Sequence, residues 1–227
     1  GIDRHQFHEL FRKVSIKTSY PVIYGGDEEV RTKINIIPNA YVELKNDKGN
    51  TIFDNFSGKI LLPDRIRWDT AHVVSLYSSE PVLSNIFYVL RLKPRENVDL
   101  TKMEKSLVLW FNTTWGMMSV LINREETRGA WSRLKMAQWK MVPTLDLFKL
   151  DKEIIERLAT LFDKISEKGP KRIPEQFNPA RIDPVRFEID REFLKTIEPN
   201  LTNSEIDEFL ERFYEMINTA LKRLWEE

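Results

Sequence analysis

No cysteine occurs among the 227 residues, which removes disulfides, zinc–thiolate centres and cysteine nucleophiles in one step. Histidine is nearly absent too, with three in the chain. His5 and His8 make half a metal site at most, because no third ligand stands near them, and their spacing suits a solvated helix face. His72 reads as a structural histidine in a β-rich stretch rather than a general base. No apolar run approaches the ~18 residues of a membrane span, and no secretory signal stands at the front. A cytoplasmic chain with no membrane partner is expected. Residue 1 is Gly and not Met, so the chain reads as a piece excised from something longer. GxGxxG, the Walker loop, GxSxG and HExxH are all missing, so no built-in nucleotide site, hydrolase elbow or zincin centre is expected. Pro63-Asp64 opens like a PD-(D/E)xK nuclease site, but the one acidic-x-Lys run, Glu43 to Lys45, precedes it. Asp64 is more simply a turn residue after proline. The expectation is therefore no catalytic residue, no metal ligand and no cofactor held by this chain.

What is present is globular: 41% hydrophobic and 31% charged residues. The net charge of zero conceals a division. Residues 58–144 carry 13 basic and 8 acidic side chains, a net of +5, and residues 145–227 carry 14 and 19, a net of −5. That asymmetry suggests a basic working surface on an acidic support. Residues 4–14 show helical spacing through Phe7, Leu10, Phe11 and Val14. Residues 34–93 break into short β-rich runs separated by Gly, Pro, Asn, Asp and Ser, with 46–50 (NDKGN) as a hairpin turn. At 101 the period changes to 3.6: one buried helix over 101–122, opened by a Thr101/Glu104 capping box, a second over 130–141 and a third over 151–168. A Pro-rich connector, 169–187, then crosses the surface to a short helix at 189–197 and a long C-terminal helix capped by Asn203 or Ser204. The fold class is α+β, with a β-rich N-terminal half followed by helices. The division expected is an α+β domain over 1–146 and a helical region over 147–227.

The candidates for binding are cationic. Arg65 and Arg67 alternate, so an extended segment puts both on one face. Arg91, Lys93 and Arg95 do the same. Arg124, Arg128, Arg133, Lys135 and Lys140 cluster in residues 124–146 beside Trp131 and Trp139. Guanidinium forks suit phosphate oxygens and the guanine edge, and both tryptophans read as packing anchors.

Residues 106–146, with Asn112, Thr113 and Gly116, then Gly129 and Trp131, then a Val142-to-Asp146 exit, resemble the target-recognition element of N6-adenine DNA methyltransferases of type I, type IIG and phage-defence systems. Residues 60–91 are similar to that family's paired-arginine strand and the strand after it, and 189–197 with Tyr214 to its C-terminal tail. The resemblance spans about residues 30–225. It implies a DNA-recognition fragment bound to double-stranded DNA through Arg65, Arg67, Arg124, Arg128, Arg133, Lys135 and Lys140, with loop 123–133 presented by the buried helix. The family's Asn-Pro-Pro-Tyr and cofactor motifs are missing; Asn178-Pro179 is followed by Ala180-Arg181. The resemblance thus implies that S-adenosylmethionine and the chemistry belong to a catalytic domain of the same parent chain, a partner of this fragment. The competing expectation is a protein-interaction module that docks another subunit through its helices.

Overall fold

A computed structural model describes residues 2–25, 29–126 and 130–226. The fold is α+β, with a mixed sheet in the N-terminal half and helices after it. In chain order the elements are α1 (Arg4–Leu10), β1 (Phe11–Val14), β2 (Pro21–Ile23), α2 (Glu29–Thr32), β3 (Asn35–Ile36), β4 (Ala40–Leu44), α3 (Asp47–Phe56), β5 (Gly58–Pro63), β6 (Arg65–Arg67), β7 (Leu76–Ser84) and β8 (Phe87–Leu90). They continue as α4 (Leu100–Phe111), α5 (Thr114–Ile122), β9 (Glu125–Glu126), β10 (Trp131–Arg133), α6 (Met136–Met141), α7 (Lys152–Ile165), α8 (Ile173–Gln176), α9 (Pro184–Ile197) and α10 (Asn203–Glu226). The larger sheet runs β1-β4-β2-β7-β5-β8, with β3 also on β7; β2 and β3 pair β7 in parallel and the other pairs are antiparallel. The smaller sheet is an antiparallel ribbon, β6-β10-β9.

Helix α4 packs on β5 and β7 and, on its other flank, against α7. Helix α7 buries Ile155, Leu158, Ala159, Leu161, Phe162 and Ile165, a stripe at 3.6 periodicity. The main core takes residues from both sides of position 146, so sheet and C-terminal helices share one apolar interior. A smaller cluster around Phe7, Phe11, Val22, Val42 and Phe53 holds α1, β1 and α3 to the sheet.

Several sequence expectations change. The expected helix over 4–14 ends at Leu10, because Phe11–Val14 pairs antiparallel with β4. The expected hairpin at 46–50 is the first turn of α3, where Phe53 is buried edge-on to Tyr20 at 5.1 Å; packing overrides the weak helix propensity of Gly, Asn and Thr. The expected helix 101–122 is two helices. Asp99, not Thr101, caps α4, accepting from the Lys102 N–H at 3.2 Å. The break falls at Asn112, whose Oδ1 accepts from Val74 N at 2.8 Å and whose Nδ2 donates to the Ser75 carbonyl at 2.8 Å. Thr113 then caps α5 through Gly116 N at 2.9 Å. Gly116 is required at this corner, since a Cβ there would lie 2.1 Å from the Trp110 carbonyl oxygen.

The connector 169–187 does not stay on the surface. It contains α8 and buries Ile173, Gln176 and Phe177 completely. Gln176 Oε1 accepts from Arg186 Nε at 2.9 Å and Nη2 at 2.7 Å, and Arg186 Nη1 donates to the Asn112 carbonyl. One turn on, the carboxylate of Asp190 accepts from Thr114 N (2.7 Å), the Thr114 hydroxyl and the Tyr214 hydroxyl (2.7 Å). This buried polar network ties α8, α9 and α10 to the α4–α5 corner. Burial pushes the Asp190 carboxyl above the usual carboxylate range against the pull of Arg186.

Thr202, rather than Asn203 or Ser204, opens α10. Its hydroxyl accepts from Glu205 N (3.3 Å) and its own N–H donates to Glu205 Oε2 (2.8 Å), a reciprocal capping box. Those hydrogen bonds, the backbone one foremost, hold the Glu205 carboxyl below its ordinary range. Its stabilising share is therefore present above the unfolded pKa and lost as pH falls through the lower folded value. Thr202→Ala is expected to cost about 1 kcal/mol in urea denaturation at neutral pH, with the deficit shrinking in acid.

A candidate nucleic-acid interface on the β6–β10–β9 ribbon

The ribbon brings together residues far apart in sequence. In the antiparallel register Arg133 stands opposite Arg65 and Trp131 opposite Arg67. Directly opposed residues share a face, and these four are exposed while Ile66 and Ser132 behind them are buried. The alternation of Arg65-Ile66-Arg67 thus recurs in Trp131-Ser132-Arg133, where the sequence predicts a helix over 130–141; only Met136–Met141 is helical.

Two buried indoles hold the ribbon to the body. Trp68 Nε1 donates to Ser132 Oγ at 2.7 Å, and Trp139 Nε1 donates to the Pro63 carbonyl at 2.9 Å. Backbone bonds from Trp68 N to Ala130 O (3.0 Å) and Leu134 N to Asp64 O (2.9 Å) close both ends. Side chains on such a clamped strand pair keep their geometry, as a recognition surface requires.

The expected site residues separate on this frame. Arg65 and Arg133 have no ion pair among the described residues. Arg67 makes a forked bond to Asp69 (2.9 and 3.0 Å) and lies over the Trp131 ring at 5.8 Å. Trp131 is 39% exposed, so its role as a packing anchor is corrected; Trp139, at 7%, is the anchor. Arg124 is half-buried and its Nη1 donates to the Leu121 carbonyl at 2.6 Å, satisfying the end of α5 instead of reaching outward. Lys135 is held by Glu125 at 2.7 Å, and that bond keeps the Glu125 carboxyl below its ordinary range. Lys140 is exposed on α6. Arg128 lies outside the described residues. Part of the expected loop 123–133 is strand, β9 and β10. Arg91 donates to the carbonyls of Asp54 (2.7 Å) and Asn55 at the end of α3, and Arg95 lies over Phe148 at 4.0 Å, so neither joins the ribbon. His72 Nδ1 is bonded to the Pro170 carbonyl at 2.7 Å, a structural contact.

Beside the ribbon lies a cleft of about 590 Å³. Arg4, Asp64, Arg65, Arg67, Asn85 and Trp131 line its upper walls, and Ile66, Val74 and Phe87 belong to its apolar floor. Arg4 was not anticipated from sequence: it sits in the first turn of α1, and only the fold carries it here. The repeated period-2 pattern at 131–133 was the available signal for the ribbon. Among the described residues no group of three or more His, Asp or Glu side chains could hold a metal ion, and no helix is long and apolar enough to cross a membrane. Comparison of the chain with protein-family models, curated proteins and solved structures gave no match.

Proposed function

We propose that this chain is a DNA sequence-recognition fragment of an N6-adenine DNA methyltransferase of a restriction–modification or phage-defence system, cytoplasmic and non-catalytic by itself. Its partners in this reading are double-stranded DNA and the catalytic domain of the parent chain, which holds S-adenosylmethionine. The observation that carries the DNA part is the exposed ribbon face with Arg65 and Arg133 opposed across two strands. A two-stranded ribbon fits the major groove of B-DNA, where arginine reads guanine. Arg67 and Lys140 extend the positive surface, and phosphate contacts from them would set the register.

The test is Arg65→Ala combined with Arg133→Ala. Both side chains are exposed, so the unfolding midpoint is expected to stay put. Duplex affinity is expected to fall, and the plot of log affinity against log salt to become shallower by about two, one for each lost contact. Unchanged affinity at low salt would remove the ribbon from the DNA surface.

A second reading, a protein-docking module, has its own observation. On α10, Phe209 (45% exposed) and Met216 (69% exposed) lie beside Phe213, which stacks between Trp115 and Phe209 at 5.8 and 5.7 Å. An exposed apolar strip of this kind suits a protein partner. It takes the lead if the double arginine variant binds DNA like the parent protein.

A further inference from the structure

We propose that the cleft beside the ribbon receives a single unstacked nucleotide, its base against Trp131 and its phosphate between Arg65 and Arg4. The proposal rests on the nucleic-acid reading of the ribbon and goes further, because a base-paired duplex presents its bases stacked and cannot fill a concave site. Four features of the cleft match one nucleotide. Its wall offers an exposed indole face, and stacking on an aromatic side chain tolerates any base. The floor beneath is apolar, as the flat face of a base requires. The rim carries three guanidiniums, of Arg4, Arg65 and Arg67, against one lining carboxylate, Asp64, so the local charge favours a phosphate. The Asn85 side chain adds a hydrogen-bonding edge: its Oδ1 is committed to Gly25 N at 3.0 Å, which leaves the amide Nδ2 to donate to an acceptor on the base.

Trp131 also has an arrangement suited to this role and poorly explained by stability. A tryptophan 39% exposed on a strand, with Arg67 over its ring, contributes little to the core. The same geometry forms a guanidinium–indole platform of the kind that unstacked bases use.

The experiment compares three probes by fluorescence anisotropy: a perfect duplex, the same duplex with one unpaired nucleotide bulged out, and the same bulge with an abasic residue in place of the nucleotide. The bulged duplex is expected to bind about tenfold tighter than the perfect one, and the abasic bulge to lose that gain. Trp131→Ala should erase the preference for the bulge while retaining binding to the perfect duplex, and Trp131→Phe, which keeps a stacking face, should retain most of it. Thermal midpoints of both variants check that the fold survives. Equal affinity for the three probes, or an equal loss on all three in Trp131→Ala, overturns the nucleotide cleft and leaves the ribbon reading standing. Failure of the parent protein to bind any of the three overturns both.

Discussion

Asp190→Ala is expected to lower the unfolding free energy by about 3–5 kcal/mol, read as a fall in the urea midpoint. Asp190 is fully buried and sits 3.9 Å from the equally buried Arg186. Removing the carboxylate leaves the guanidinium with only neutral acceptors, Gln176 Oε1 and the Asn112 carbonyl. The Thr114 N–H and the Tyr214 hydroxyl lose their acceptor at the same time, and an unsatisfied buried donor costs about 1–3 kcal/mol. Asp190→Asn should cost less, because its carbonyl oxygen can still accept from Thr114 N. Replacing both charges, Arg186→Met with Asp190→Leu, should recover much of the loss, since two desolvated ions then leave the interior together. A single Ala variant as stable as the parent would mean that the network contributes nothing to holding α9 and α10 on the α4–α5 corner.

The other large effect separates two tryptophans of the same segment. Trp139→Ala is expected to cost about 3–5 kcal/mol, the usual range for deleting a buried aromatic. Its ring meets Phe111 edge-on at 5.7 Å, and its N–H satisfies the Pro63 carbonyl at the corner between β5 and β6. Trp131→Ala should cost no more than about 1 kcal/mol, the scale of its cation–π contact with Arg67. Urea titration of the two variants side by side decides the point. A larger loss in Trp131→Ala than in Trp139→Ala would contradict the exposed face of the ribbon. The Trp139 variant should also weaken duplex binding, because Pro63 leads directly into the strand that carries Arg65.

Comparing predicted with observed elements shows where local pattern was sufficient. Helix α7 was legible because its apolar residues recur at 3.6 over 14 residues, ending at Gly169-Pro170. The β-rich character of 34–93 was legible apart from α3, whose sequence carries turn residues and only one deeply buried aromatic, Phe53. The connector 169–187 looked extended because four prolines dominate it, yet Ile173 and Phe177 find a core that its own sequence does not display.

For the candidate site the division is sharper. The sequence by itself determined the α+β class, the absence of cysteine chemistry and of the common catalytic motifs, the excess of basic side chains over 58–144, and the alternation that puts Arg65 and Arg67 on one face of a strand. Only the tertiary structure decided that Trp131–Arg133 is a strand and not a helix, that Arg133 stands opposite Arg65, and that Arg124 and Lys135 are engaged with Leu121 and Glu125. The physical reason is length. Three-residue strands have no stability of their own, so β6 and β10 exist only because they pair with each other and are clamped by indole N–H bonds from Trp68 and Trp139. Whether a side chain in so short a segment faces water or core follows from that pairing.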